Sequence, residues 1–246
     1  MNLTDKAIAR LEQQPLHFID ILEPLHRRTA QVLYAGEDGI QIQIHATIMQ
    51  SSVSPQAAER LLNRLPRIPE LFVAHESYEK EVFEHLCGGA DAFEAGFCNP
   101  CLAAAYLKKE PLPVSERFTI RKLTQKYAQD INKQYHLFDD LPYIQERIQA
   151  GVFYGAFLNG ELAGFICEHI EGTMGMLEVY PKFQRMGVAS ALEADAVNRN
   201  LAAGRTAFCD IILGNDASFA LQKSLGLSLS DRPHYWLSGG TPTKEN

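Results

Sequence analysis

The sequence predicts a protein of the α/β (α+β) class, built from two similar mixed-sheet units in tandem, the first of them degenerate. The order of predicted strands and helices in the first half repeats in the second half. Residues 108–116, rich in proline and charge, read as a linker between the halves. A length of 246 residues allows each unit its own hydrophobic core. We therefore expect domains at residues 1–110 and 117–246.

Composition and charge exclude several classes of protein. The chain is 46% hydrophobic and 22% charged, which is typical of a globular protein and excludes disorder. A net charge of −7 argues against nucleic acid as the main partner. No apolar stretch approaches the roughly 20 residues that span a bilayer, and the N-terminus has no apolar signal core. We expect a cytoplasmic protein with no membrane partner, five cysteine thiols and an oligomeric state left open.

The first half begins with a helical stretch at residues 3–25, with expected interruptions at Pro15 and Pro24. Residues 36–39 predict a hairpin turn, and the alternation in 40–44 predicts a strand with one face in water. The remaining elements are a strand at 47–51, a helix from Ser54-Pro55 to about residue 65, a strand at 71–74, a helix at 78–86 and one or two closing strands within 92–107.

The second half repeats this order. Asn159-Gly160, between two apolar runs, predicts a tight hairpin. The predicted elements are a strand at 118–123, interrupted helices within 126–150, strands at 152–158, 162–169 and 173–179, a helix from 187 to 203, a strand at 206–212, a helix at 217–225 and a last strand at 234–237.

The most informative stretch leads from the strand at 173–179 into the helix at 187–203. Gly187 and Ala189 are small residues at a helix N-terminus, where backbone N–H groups can approach a phosphate closely. Lys182 and Arg185 can add positive charge. The alternative is a plain helix N-terminus whose glycine eases packing, because short glycine motifs have many false positives.

Two motifs resemble the Gcn5-related N-acetyltransferase superfamily. Gln184, Gly187 and Ala189 match its Gln/Arg-x-x-Gly-x-Gly/Ala loop. Asn215, Leu221 and the Leu-Gly-Leu at residues 225–227 resemble its second motif, an Asn after the fifth strand and a helix that ends in Leu-Gly-Phe. The resemblance covers residues 118–237.

This resemblance implies that acetyl-CoA is the co-substrate. The implied contacts of its pyrophosphate are Gln184, Arg185, Met186, Gly187, Val188, Ala189 and Ser190. The implied contacts of its pantetheine arm are the backbone of Leu177 and Val179, with Asn215 near the same arm. Ser218 is a further implied cofactor contact. No metal is expected, because Cys98 and Cys101 lack a second pair of ligands in the sequence.

The sequence departs from the family at two positions. Gln222 stands where many members carry the tyrosine that protonates the leaving thiolate, and Thr173 where some carry a glutamate base. The candidate bases are Glu171, Glu178, Glu168 and His169, of which Glu171 is expected on the same strand face as Thr173 and Glu178 on the opposite face. Tyr235 is the candidate acid. In each case the alternative is an ordinary solvated or packed side chain, and thiolate release can also proceed without a protein acid.

The first half carries no such loop, and Pro55 removes an amide from the corresponding helix start. A degenerate first half before an active second half resembles the glycine N-acyltransferase branch of the superfamily. That resemblance implies that the first half completes the acceptor groove and covers a sheet edge of the second.

The sequence thus predicts an N-acetyltransferase. The expected reaction moves the acetyl group of acetyl-CoA to a primary amine of a small molecule or amino acid, by direct transfer in a ternary complex. Two alternatives stay open: a protein N-acetyltransferase, and a non-catalytic acyl-CoA-binding regulatory module, which the departures at Gln222 and Thr173 favour.

Overall fold

A computed structural model describes residues 2–89, 96–137 and 139–239 of the chain. In chain order, its first helices and strands are α1 Leu3–Leu11, α2 Ile19–Arg27, β1 Gln31–Gly36, β2 Gly39–Ile44, β3 Thr47–Ser52, α3 Pro55–Asn63, β4 Leu71–Ala74, α4 Ser77–Leu86 and β5 Phe97–Tyr106. The predicted closing strands at 92–107 are one strand, β5, within the described residues, and residues 92–95 lie outside them.

The remaining elements follow the linker, which carries no helix or strand. They are β6 Thr119–Lys122, α5 Ala128–Gln134, α6 Leu141–Gln149, β7 Phe153–Leu158, β8 Glu161–Glu168, β9 Met174–Val179, α7 Val188–Ala202, β10 Ala207–Ile212, α8 Asp216–Leu225, β11 Ser228–Leu229 and β12 His234–Ser238. The α/β class is confirmed, and the observed elements follow the predicted order. The short strand β11 was not predicted.

The chain forms two compact units, but they divide it differently from the predicted boundaries. The first unit ends at Ala103 and also takes in Ile211–Asn215 and the C-terminal segment from Leu229. The second comprises Ala104–Asp210 and Asp216–Ser228. The reason is strand pairing, because β12 pairs antiparallel with both β4 and β5. The C-terminal strand is thus part of the first unit.

The sheet of the first unit has the strand order β1–β2–β3–β4–β12–β5, and β10 pairs with β5. Within it, β3 and β4 are parallel neighbours whose register runs from Thr47 opposite Leu71 to Gln50 opposite Ala74. Helix α3, which lies between these two strands in the chain, starts at Ser54, whose side chain accepts a hydrogen bond from the amide of Ala57.

Two expectations for the first half were wrong. The face of β2 that was expected in water is largely covered: Gln43 is half-buried, and Gln41 is 1% exposed and donates hydrogen bonds to Gln50 Oε1 (2.8 Å) and Leu61 O (3.2 Å). A buried amide is tolerated where its hydrogen-bonding groups find partners. Pro24 lies inside α2 and does not interrupt it, whereas Pro15 does fall in the turn between α1 and α2.

The second unit contains a four-stranded antiparallel sheet in the order β6–β7–β8–β9, with β9 at one edge. One face is covered by α5 and α6 around a core that includes Ile131, Ile144, Phe153 and Phe165. Helix α7 packs against β7, β8 and β9. A side chain at Gly164 of β8 would lie 3.0 Å from Val188, so Gly164 faces α7 and lets the start of that helix approach the sheet.

No helix among the described residues is both long and apolar enough to span a bilayer.

Candidate functional site

The loop from β9 to α7 turns the chain sharply in front of a helix N-terminus. A single 3-10 turn, Pro181–Phe183, precedes Gln184, and Arg185 and Gly187 then take positive φ angles of 63° and 87°. Gly187 is the N-cap residue of α7, and its carbonyl accepts the first helical hydrogen bond, from Ala191 at 3.1 Å. This left-handed backbone conformation favours glycine.

The first turn of α7 presents backbone donors. The N–H groups of its first three residues, Val188, Ala189 and Ser190, have no acceptor within the helix, as at the start of any α-helix. Gly187 carries no side chain that could cap them, and Ser190 is exposed. With the helix dipole, these donors favour an anionic group.

The basic side chains beside this turn contribute less positive charge than the sequence suggests. Lys182 Nζ lies 2.6 Å from Glu161 Oε2, so its charge is partly neutralised. Arg185 is exposed, and Met186 beside it is half-buried. The Gln184 amide reaches back to the carbonyl of Val179, 3.5 Å away at the end of β9. The donors of the helix, more than side-chain cations, define this anion-favouring turn.

Strand β9 contains a bulge that sequence reasoning missed. Phe165 pairs with Glu178 and Cys167 with Gly175, so Met176 and Leu177 stand together opposite one residue of β8, and Met176 has a φ of 49°. The extra residue reverses the alternation of side chains along the strand. Glu178 therefore lies on the same face as Gly175, whereas strict alternation would place them on opposite faces. The expectation that Glu178 and position 173 point to opposite faces was wrong for this reason.

Glu178 lies half-buried on the face covered by α5 and α6. It pairs across the sheet with Phe165 on that face. Its charge acts on two tyrosines: burial and then Glu178 raise the pKa of Tyr135, and burial, Asp130 and Glu178 raise the pKa of Tyr180. The Tyr180 hydroxyl donates a hydrogen bond to Asp130. Glu178 is thus a carboxylate in a partly desolvated, tyrosine-lined setting.

Tyr135 also borders an open cleft of about 680 Å³. Its other lining residues, apart from Leu141, are polar or charged: Gln129, Asn132, Lys133, His136 and Asp139. The same tyrosine therefore lies near both Glu178 and a space of the size that a small molecule needs.

Glu171 lies in the turn between β8 and β9 and not on a strand, because β9 begins only at Met174. It is 8% exposed, and the Thr173 hydroxyl donates a hydrogen bond to its Oε1. Tyr143 is close enough for Glu171, after burial, to raise the pKa of its hydroxyl. The expected strand position of Glu171 was therefore wrong, and its carboxylate is held in a local turn.

The two remaining candidate bases already have partners. Glu168 Oε1 lies 3.7 Å from Arg205 Nη1, and His169 Nδ1 lies 2.6 Å from the Tyr143 hydroxyl. Both lie at the far end of β8 from the hairpin turn, at the side of the sheet where Glu171 also lies.

Three other predicted site residues are distributed over both units. Ser218 is in the first turn of α8 in the second unit. Asn215 belongs to the first unit, and its amide closes a turn to Ile212 O at 3.0 Å. Tyr235 is on β12, where it pairs with Ala74 and packs against a first-unit core cluster. Their roles at a cofactor site remain predictions.

Gln222, in the place of the expected tyrosine, is 2% exposed and donates a hydrogen bond of 2.5 Å to Glu193 on α7. Glu193 is also 2% exposed, and burial raises its pKa to about 7. Sequence reasoning missed this residue. The available signal was a glutamate directly after Leu192, in an otherwise apolar stretch of the helix.

The corresponding region of the first unit is closed by its own side chains. Beyond the paired part of β3 and β4, the Glu79 carboxylate accepts hydrogen bonds from the amides of Ser52 (2.7 Å), His75 (2.9 Å) and Glu76 (3.0 Å). The Gln50 side chain adds a fourth donor at 3.2 Å. Burial raises the pKa of Glu79, to about 7, while these donors favour its ionised form.

A buried histidine–carboxylate pair lies beside it. His75 Nδ1 faces the carbonyl of Gln50 at 3.0 Å and must therefore carry a proton, while its Nε2 lies 2.9 Å from Asp20. The two groups consequently share one further proton. Burial alone would raise the pKa of Asp20, but His75 holds it below its usual value. His17 Nε2 donates a hydrogen bond to the His75 carbonyl. Burial and then the charge of His75 lower the pKa of His17 to about 4.

Comparisons with known proteins agree with this fold. The FR47-like protein family, a family related to the Gcn5-related N-acetyltransferases, matches residues 150–237. A search of curated proteins gave no match. The resemblance of the second half to the superfamily is confirmed.

Solved structures match nearly the whole chain at low sequence identity. A Drosophila protein is 18% identical, with a TM-score of 0.74 and coverage of 96% of this chain and 94% of its own. A putative acetyltransferase of Novosphingobium aromaticivorans is 13% identical (TM-score 0.56, coverage 93% and 97%), and a Gcn5-related N-acetyltransferase-like protein of Streptococcus suis is 11% identical (TM-score 0.55, coverage 97% and 100%). The fold of this chain is that of the Gcn5-related N-acetyltransferases.

Proposed function

We propose that this protein is an N-acetyltransferase that moves the acetyl group of acetyl-CoA to a primary amine of a small molecule or amino acid. The observation that carries the proposal is the turn at Arg185–Gly187, which opens the first-turn amides of α7 directly after the edge strand β9. An anionic pyrophosphate fits these donors, and an edge strand offers backbone groups to an extended arm.

The residues present fit acetyl-CoA as co-substrate. The amides of Val188, Ala189 and Ser190 would hold its pyrophosphate, and the backbone of Leu177 and Val179 would pair with its pantetheine arm. When bound, acetyl-CoA supplies a thioester whose carbonyl carbon can be attacked by an amine.

Glu178 is the proposed base of the transfer. An amine arrives as an ammonium ion and must lose a proton before it can attack, and a half-buried carboxylate is suited to take that proton directly or through one water. Glu178 projects from β9 itself, on the face where its charge acts on Tyr135, and Tyr135 borders the cleft. The negative charges of Glu178 and Asp130 would also favour a cationic acceptor on that side.

A non-catalytic acyl-CoA-binding module is the second candidate function. Gln222 favours it, because this side chain is buried against Glu193 and is no proton donor of suitable pKa. A protein N-acetyltransferase, with a protein N-terminus or a lysine as acceptor, is the third candidate function. It differs from the small-molecule N-acetyltransferase only in the size of the amine substrate.

The test combines binding with turnover. Acetyl-CoA should raise the Tm of the chain, because a ligand that binds only the native state stabilises it. Release of free CoA thiol is then measured against a panel of small amines, amino acids and peptides. Acyl-CoA binding without thiol release over the whole panel supports the module, and the absence of binding overturns both functions.

A further inference from the structure

A hydrogen bond between the buried side chains of Glu193 and Gln222 joins α7 and α8 of the second unit. Two oxygen atoms of this pair remain without a hydrogen-bond partner in the described part of the chain. Gln222 Nε2 donates to Glu193 Oε1 at 2.5 Å. Among the described residues, Glu193 Oε2 and Gln222 Oε1 are buried and have no hydrogen-bond partner. Unsatisfied buried oxygens are destabilising, so two in one pair require an explanation.

One proton satisfies both atoms. If Glu193 is a carboxylic acid with its proton on Oε2, that oxygen becomes a donor, and Gln222 Oε1 is the buried acceptor on the partner group. The acid and the amide then form a ring of two hydrogen bonds. An ionised Glu193 would instead place a buried charge opposite an amide carbonyl with one hydrogen bond for compensation.

The charges around the pair also favour the neutral acid. On β10, the buried Cys209 thiol interacts with Glu193, and Asp210 acts on the same thiol. Neither group is a cation. From β8 and β9, Cys167 and Glu178 lie on the opposite face of the sheet, whereas Glu168 lies on the α7 face and is paired with Arg205. From β7, Tyr154 lies under the guanidinium of Arg199, which is itself paired with Asp195. Burial raises the pKa of Glu193 to about 7, so this proton is exchanged near neutral pH.

The pair lies one helical turn from the predicted cofactor contacts on both helices. Glu193 follows Ala189 by four residues on α7, and Gln222 follows Ser218 by four residues on α8. Residues four apart share a helix face. A bond between Glu193 and Gln222 therefore fixes the spacing of the two helix faces that carry these contacts.

We propose that protonated Glu193 is a positioning residue for cofactor binding: its ring with Gln222 holds α7 and α8 at the spacing that acetyl-CoA requires, and its deprotonation weakens binding. This inference rests on the proposed function. It adds a pH-sensitive connection between the predicted cofactor contacts on α7 and α8.

The test is the Kd of acetyl-CoA, measured by calorimetry between pH 5.5 and 8.5 on the full chain. Affinity of the unmodified protein should fall about tenfold between pH 6 and pH 8, a change that linkage to a single proton permits. Glu193→Gln should keep the affinity found at low pH and remove this part of the pH dependence, because two amides form the same ring without a titrating proton. Asp195→Asn, which changes a half-buried carboxylate of the same helix that is ion-paired with Arg199, is the matched control and should follow the unmodified protein.

The same pH profile in Glu193→Gln as in the unmodified protein overturns the positioning role alone. No acetyl-CoA binding at any pH overturns the proposed function as well. If Glu193→Gln does not fold, the double variant Glu193→Leu/Gln222→Leu, with an apolar contact in place of the ring, should show the same flat profile.

A second readout needs no cofactor. Because the pKa of Glu193 is raised in the folded state, the folded chain binds more protons than the unfolded chain between about pH 4 and pH 7. The stability of the unmodified protein relative to Glu193→Gln should therefore fall as the pH rises through this window. A constant difference would show that Glu193 carries no proton there and would overturn the proposal.

Discussion

The two units differ in the region that follows corresponding strands, β3 in the first unit and β9 in the second. In the first, β3 and β4 pair in parallel, and beyond the paired residues the Glu79 carboxylate occupies the backbone amides. In the second, β9 is an edge strand, and its loop leads to a helix start without a side-chain cap. Helix α3 of the first unit is capped by Ser54 and begins with Pro55.

A few side chains are thus enough to occupy or remove the backbone donors while the order of strands and helices is preserved. Glu79 supplies, from within the chain, the negative charge and acceptor oxygens that a bound anion would bring. The start of α3 is closed in another way, because Pro55 has no N–H and the Ala57 amide donates to Ser54. At the corresponding start of α7, Gly187 leaves the amides of Val188, Ala189 and Ser190 without a side-chain cap. We therefore assign cofactor binding to the second unit alone.

Gly187→Glu should have the largest effect on the open site. The change forces a non-glycine residue into a φ of 87° and places negative charge beside the helix donors, so acetyl-CoA binding should be abolished in calorimetry. Gly204→Glu is the matched control: Gly204 follows the C-terminal end of the same helix with a φ of 68° and open space around it. Retained affinity in Gly187→Glu would contradict the assignment of this loop.

Glu178→Gln should lower kcat strongly while leaving the Kd of acetyl-CoA unchanged. Loss of a general base costs about 10²–10⁴-fold in rate. The measurement is kcat from CoA thiol release, with the Kd of acetyl-CoA in parallel. Glu171→Gln is the comparison, since Glu171 is held in a turn by Thr173 and should affect kcat little. The reverse ranking would assign the base to Glu171.

The contrast between the units also separates what the sequence could predict from what it could not. The Asn159-Gly160 hairpin and the helix starts at Ser54 and Gly187 depend on residues close together in the chain, so local patterns predict them. The bulge at Met176 depends on pairing with β8, and no local pattern indicates it. The hydrogen bond from the Ser52 amide to Glu79 joins residues 27 positions apart in the sequence, and the pairing of β12 with β4 joins segments more than 150 residues apart. Local patterns therefore indicate neither of them.

Glu79→Gln tests the closed site. An amide in place of this carboxylate turns one acceptor into a donor that faces backbone N–H groups, so the first unit should lose about 3 kcal/mol of stability. Urea unfolding followed by the fluorescence of Trp236, the single tryptophan, measures this loss. Glu81→Gln, on an exposed position of the same helix, should change stability by less than about 0.5 kcal/mol. Equal stability of both variants would contradict the structural role of Glu79.

The smallest expected effect is a pH dependence in the first unit. The pKa of His17 is lowered to about 4, so the unfolded chain binds this proton first as the pH falls from about 6.5. The stability advantage of the unmodified protein over His17→Gln should therefore shrink by about 2 kcal/mol between pH 6.5 and pH 4. Urea midpoints across this range measure it. A difference that stays constant would show that His17 titrates normally in the folded protein.

The number of acetyl-CoA molecules bound per chain tests whether the second unit alone binds the cofactor. Because cofactor binding is assigned to the second unit alone, calorimetric titration of the full chain should give one molecule per chain, and Gly187→Glu should reduce this number to zero. Two molecules per chain, or one that persists in Gly187→Glu, would show that the first unit binds the cofactor and would contradict the account.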